Sequence, residues 1–221
     1  MIKIANAVAA SAMLAAMTLV TSCVSADPDR PTGKVPAPSA ASDNVKQEQI
    51  YLLRGIGGVF SLGMDRLASK LREKGIVVHV LQHSSWRWAA QQIKEAYKAN
   101  PKSGPIVLVG HSLGAHAVAP LARKLAKSDI PVDFLASVDP IAQVTIPNNV
   151  KLAWQVRVSA WQEGLLKAET GFKGKIVDFN VGERENLKKA NINHFNIDQS
   201  EGVQDMLFKQ IVSEVGARRR L

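Results

Sequence analysis

The stretch Pro105-Ile106-Val107-Leu108-Val109-Gly110-His111-Ser112-Leu113-Gly114 decides how the rest of the chain is read. Ile106 to Val109 is an unbroken aliphatic run, which predicts a strand buried on both faces. From Leu113 to about Lys127 the apolar residues return at helical spacing. Between strand and helix stands a serine with glycine two positions to either side, the pattern G-x-S-x-G. A strand-to-helix turn this sharp forces the serine into a strained backbone conformation, and side chains at the flanking glycines would collide. Ser112 then projects from the sheet edge at a helix N-terminus. Backbone N–H groups and positive partial charge gather there and favour a developing oxyanion. Ser112 is thus the candidate nucleophile.

Strands and helices alternate on both sides of this turn. Ile50 to Leu53 reads as a buried strand ended by Gly55, Gly57 and Gly58. Met64 to Lys74 has helical spacing with Leu67 and Leu71 on one face, and Gly75 follows as a stop. Ile76 to Leu81 is a β-branched run and reads as a second strand. Trp88 to Ala99 is helical, and Asn100-Pro101 ends it. Val132 to Val138 is a strand, Trp154 to Trp161 and Lys175 to Val181 are two more, and Val203 to Val215 is a closing helix. Apolar strands separated by helices predict a mostly parallel sheet covered on both faces, a three-layer α/β/α sandwich. Little sequence is left for a cap domain.

The two ends of the chain fall outside that pattern. Lys3, an apolar stretch from about Ile4 to Val20 and small residues at Thr21-Ser22-Cys23 follow the layout of a secretory signal peptide. Cys23 is the only cysteine of the chain, so no internal disulfide can form. Val20-Thr21-Ser22-Cys23 resembles the bacterial lipobox, which implies lipidation of Cys23. Cleavage after Val24-Ser25-Ala26 is the competing route and would free the domain. The expected division is a signal peptide over 1–22, a Pro/Ala/Ser-rich tether over 23–46, a catalytic domain over 47–217 and a basic tail over 218–221. The expected location is the bacterial cell envelope, with a lipid anchor as the membrane contact. The formal charge is +9, but the basic residues are scattered apart from Arg218-Arg219-Arg220. No aromatic residues interleave with that run, so it reads as solvated, and no nucleic-acid partner is expected.

A serine nucleophile needs an imidazole to take its proton and return it to the leaving group. There are five histidines. His111 and His116 share the turn and its helix with Ser112 and cannot easily fold back onto it. His79 lies inside an expected strand and His83 just after it. His194, in Asn193-His194-Phe195 between the last strand and the last helix, is the candidate base. Asp139 ends the strand that follows the serine helix, in Val138-Asp139-Pro140, which would point its carboxylate out at the carboxyl edge of the sheet. The rival carboxylates are Glu163, Asp178 inside the last strand, and Asp198, only four residues after His194. An Asp before Pro also serves as a plain turn residue. Trp86 and Trp88, beside His83, read equally as pocket lining or as packing under a loop.

From about Gln49 to the C-terminus the chain resembles the α/β-hydrolase superfamily, especially its small thioesterase-like and lipase-like members. The resemblance rests on Gly110-His111-Ser112-Leu113-Gly114, the Gly-rich loop after an early strand, an Asp at a strand end and a late His. It implies the order Ser, acid, His, hence Ser112, Asp139 and His194 as a triad. It also implies an oxyanion hole from the backbone N–H groups of Leu113 and Ile56, the latter in Arg54-Gly55-Ile56-Gly57-Gly58, where Arg54 stands in place of the family's His. The same glycines also suit a tight turn. The implied activity is cleavage of an ester or thioester of a small-molecule or lipid-like acyl substrate. An inactive binding module of the envelope and an acyltransferase are the alternatives. No metal-ligand spacing or phosphate loop is present, so neither metal nor cofactor is expected.

Overall fold

The six strands expected from the sequence form one sheet in the computed structural model, which describes residues 48–56, 61–184 and 191–220. The strands are β1 (Gln49–Arg54), β2 (Val78–Gln82), β3 (Ile106–His111), β4 (Val132–Val138), β6 (Val150–Arg157) and β8 (Lys175–Asn180). Their order across the sheet is β2-β1-β3-β4-β6-β8, and every neighbouring pair is parallel. Four helices cover the sheet among the described residues: α1 (Leu62–Arg72), α2 (Trp86–Ala99), α3 (Leu113–Ala126) and α4 (Glu201–Arg219). The expected tether and signal segment lie outside the described residues.

Alternation along the strands sorts the core into two layers. Ile50 and Leu52 of β1 and Val107 and Val109 of β3 meet Leu67 and Leu71 of α1 and Leu207 and Ile211 of α4. Tyr51, Leu53, Ile106 and Leu108 face the other way, onto Ile93 of α2 and Val118, Leu121 and Leu125 of α3. Because both of their faces are covered, the central strands β1 and β3 are near-continuous apolar runs rather than alternating ones. Each such fully buried Leu or Ile contributes about 1.5–3 kcal/mol. The three-layer α/β/α sandwich read from the sequence is the observed architecture, with the sheet fully parallel.

Where element ends differ from expectation, hydrogen bonds explain the shift. β2 begins at Val78 rather than Ile76, because the Ile76 N–H donates to Leu71 O and closes α1 after Gly75, at φ 72°. β6 runs over Val150–Arg157 rather than Trp154 to Trp161. It stops because the Val158 N–H turns aside to a carboxylate oxygen of Asp139 and Ser159 caps a 3-10 turn over Ala160–Gln162. α2 starts at Trp86, and Trp86 and Trp88 pack against the Leu81–Ile93 side of the core. Two short strands not foreseen, β5 (Val144–Ile146) and β7 (Leu166–Ala168), pair in parallel as a second sheet. α4 continues to Arg219, so the expected solvated tail over 218–221 is in part helix. Arg218 is half-buried, 4.0 Å from the Asp133 carboxylate.

Candidate active site

The turn after β3 is as sharp as the G-x-S-x-G pattern demands. Ser112 sits at φ 57°, ψ −116°, a region L-residues avoid. A Cβ on Gly110 would lie 2.1 Å from Gly114 O, and one on Gly114 would lie 2.1 Å from Leu53 O. Neither position therefore admits a side chain without moving backbone. Gly55, just past the end of β1, is less tight: its Cβ would stand 2.9 Å from Ser61 Oγ and 3.1 Å from Ser112 Cβ. Ser112 is buried apart from 9% of its surface and stands at the N-terminus of α3.

His194 reaches Ser112 from the loop before α4. Its Nε2 is 2.9 Å from Ser112 Oγ, and its Nδ1 is 2.6 Å from Asp139 Oδ2. The carboxylate only accepts, so Nδ1–H donates to Asp139 and Nε2 is left to accept the serine hydroxyl proton. Asp139 is 2% exposed at φ 51°, just past the end of β4. Its other oxygen accepts from Val158 N at 3.1 Å and Gln162 Nε2 at 2.8 Å. Gln162 also donates to Pro140 O and accepts from Ser159 N, so this buried amide fixes the acid from the β6 side.

The rival carboxylates have other partners. Asp178 accepts both contacts from Arg157 Nε at 2.9 Å. Glu163 is exposed and 3.9 Å from Arg157. Asp198 is fully buried and accepts the Gly63 N–H at 2.9 Å. Burial raises its carboxyl to about 6, despite that hydrogen bond.

Leu113 opens α3, where a first-turn N–H has no partner inside the helix. Ile56 lies beside Gly55, and residues 57–60 of the Gly-rich loop lie outside the described residues. The Gly55 N–H itself donates to Ser61 Oγ at 2.8 Å, so it does not point at a substrate. Arg54, the last residue of β1, grips Asp65 of α1 with both Nε and Nη2. That ion pair ties the end of β1 to α1.

Four of the five histidines are accounted for elsewhere. His79 stacks on Tyr51 with ring centroids 4.8 Å apart, and His83 Nδ1 is 3.3 Å from Gly55 O. His116 Nε2 accepts from Ile141 N at 3.1 Å. His111 is 1% exposed and contacts Ser61 and the His194 carbonyl. Burial pushes it down to about 4, with the neighbouring His194 adding to the shift. Ser61 and Gln162 carry no signal in the sequence, and His111 and Asp198 were weighed there only as base and acid, because the partners that give them their places are distant in the chain. Among the described residues no group of three or more His, Cys, Asp or Glu is placed to hold a metal ion.

A cavity of about 540 Å³, lined by Gln91, Tyr97, Lys98 and Ile130 among others, does not touch this constellation. It lies at the C-terminal ends of α2 and α3, hence at the opposite edge of the sheet.

No family model and no curated protein matches the chain. Solved structures do. YbtT, a type II thioesterase from a yersiniabactin NRPS/PKS biosynthetic pathway, aligns at TM-score 0.41 and 11% identity, over 81% of this chain and 96% of its own. RedJ, a thioesterase from the prodiginine pathway of Streptomyces coelicolor, aligns at 0.40 and 12%, over 84% and 99%. A protein described as a hydrolase of the α/β superfamily, from Xanthomonas campestris pv. campestris, aligns at 0.39 and 15%, over 74% and 98%. Likenesses this distant do not bear on reaction or substrate.

Proposed function

We propose that this chain is a serine hydrolase that cleaves a carboxylic ester or thioester through an acyl-enzyme. The observation that carries the reading is the unbroken line Ser112 Oγ, His194 Nε2, His194 Nδ1, Asp139 Oδ2, with separations of 2.9 and 2.6 Å at its two hydrogen bonds. Ser112 attacks the acyl carbonyl as Nε2 takes its proton. Asp139 holds the ring orientation and tautomer and stabilises the imidazolium. The N–H of Leu113, joined by that of Ile56, receives the oxyanion. His194 then protonates the departing alcohol or thiol, and water repeats the sequence to release the acid.

Trp161 and Phe195 are 48% and 56% exposed and neighbour Gln162 and His194 in the chain. Both suit a small or lipid-like acyl group. The same reading includes export, with Cys23 lipidated and the catalytic domain held at the envelope membrane.

Stopped-flow hydrolysis of p-nitrophenyl acetate tests the acyl-enzyme. The expected result is a burst of nitrophenolate equal to the protein concentration, lost in Ser112→Ala. A Ser112→Ala protein with the same burst would contradict the assignment.

A further inference from the structure

His111 stands before the nucleophile and contacts both sides of the site at once. Its Nε2 is 2.9 Å from the backbone carbonyl of His194. Its Nδ1 is 2.9 Å from Ser61 Oγ, which in turn accepts the Gly55 N–H at 2.8 Å. Both side chains are sealed from solvent, at 1% and 0% exposure. Donor and acceptor roles follow from the partners. A carbonyl only accepts, so Nε2 carries the hydrogen. With that hydrogen on Nε2 of a neutral ring, Nδ1 has only a lone pair, so the Ser61 hydroxyl donates to it while its oxygen accepts from Gly55.

We propose that His111, in its Nε2–H form, is a positioning residue that holds the His194 loop and the Gly55 loop in register across Ser112. This rests on the reading of His194 as the base. His194 belongs to the loop before α4, and its ring needs both its bonds, to Asp139 and to Ser112. The His111 bond fixes the backbone from which that ring projects. The Ser61 link fixes Gly55, which packs against Ser112 Cβ and precedes the proposed oxyanion donor Ile56. The groups facing His111 are His194, with ring centroids 5.3 Å away, Asp139, and Asp198, whose Oδ2 is 3.9 Å from Nδ1. Burial keeps the His111 ring neutral down to about pH 4, which preserves the lone pair on Nδ1 that the Ser61 hydroxyl needs.

The test compares wild type, His111→Gln, His111→Asn and Ser61→Ala as full chains. The readouts are p-nitrophenyl acetate kinetics across pH and ¹⁵N-edited histidine spectra. The Gln amide reaches the place of Nε2–H and should restore most of the turnover. Asn is too short and should lose about 10- to 100-fold in kcat, with KM little changed and the pH midpoint of kcat displaced. Ser61→Ala removes one hydroxyl and should lower kcat in the same direction. Folded Asn and Ala variants with wild-type kcat and pH profile would overturn the proposal. The spectra are independent of turnover: an Nε2–H tautomer at His111 supports the bridge, and an Nδ1–H tautomer overturns it. A wild type without esterase activity whose His111 is still Nε2–H would count against the hydrolase reading and not against the bridge.

Discussion

Asp139 shows how much surrounding structure one carboxylate needs. One oxygen takes the His194 N–H, and the other takes two donors from the end of β6 and its following turn. Such satisfaction fixes the direction in which each carboxylate oxygen accepts. Asp198, 59 residues further on, is a buried carboxylate raised to about 6 by desolvation. An unfolded chain releases that proton near 3.8. Between those values the folded state holds a proton that the unfolded state has lost, so this group's contribution to stability falls as pH rises through the window. His111 acts in the reverse sense, because its folded value of about 4 lies below 6.5 and its contribution grows as pH rises. Asp198→Asn keeps an acceptor for Gly63 and removes the first effect. Urea midpoints should therefore show the variant gaining on wild type as pH rises from 4 to 7, by on the order of 2 kcal/mol. An offset constant with pH would contradict this account of Asp198.

At the scale of elements, the β3–Ser112–α3 turn was legible because its constraints are local. Glycines two residues to either side of the serine, an aliphatic run before it and a helical pattern after it all fall within one short window. The price of the turn is steric. Gly114→Ala drives a methyl group into Leu53 O, so thermal or urea unfolding should show a loss of about 3 kcal/mol or more. A variant with wild-type stability would mean that the turn is looser than described. Strand ends were less legible. Ile76 reads as strand but its N–H closes α1, and Val158 reads as strand but its N–H serves Asp139. β5 and β7 are three residues each, too short for a period to be read, and Leu166-Lys167-Ala168 carries little strand signal. Arg54 looked like a departure in the loop motif, and its reason lies eleven residues on, in Asp65 of α1.

For the molecule as a whole, parallel topology explains why a site drawn from three separated segments assembles. β3 and β4 are neighbours, so Ser112 and Asp139 leave the same sheet edge side by side, and the Ser112 N–H donates to Val138 O at 3.0 Å. The loop before α4 then brings His194 across both. Residue type and chain order were enough to nominate these three. Ser61 and Gln162 were hidden, and His111 and Asp198 were legible only as a rejected base and a rival acid, because their bonds join positions up to 135 residues apart, which no local pattern records. Ser61 is the clearest case: a serine before a helix reads as a cap, yet its hydroxyl serves Gly55 and His111 and makes no capping bond. The most direct measurement of the central claim is labelling of the full chain with a fluorophosphonate probe, wild type beside Ser112→Ala and His194→Ala. Stoichiometric labelling of wild type, none in Ser112→Ala and a rate reduced by at least about 100-fold in His194→Ala is the predicted result. A folded wild type that takes up no label, or a Ser112→Ala protein that still does, would contradict it.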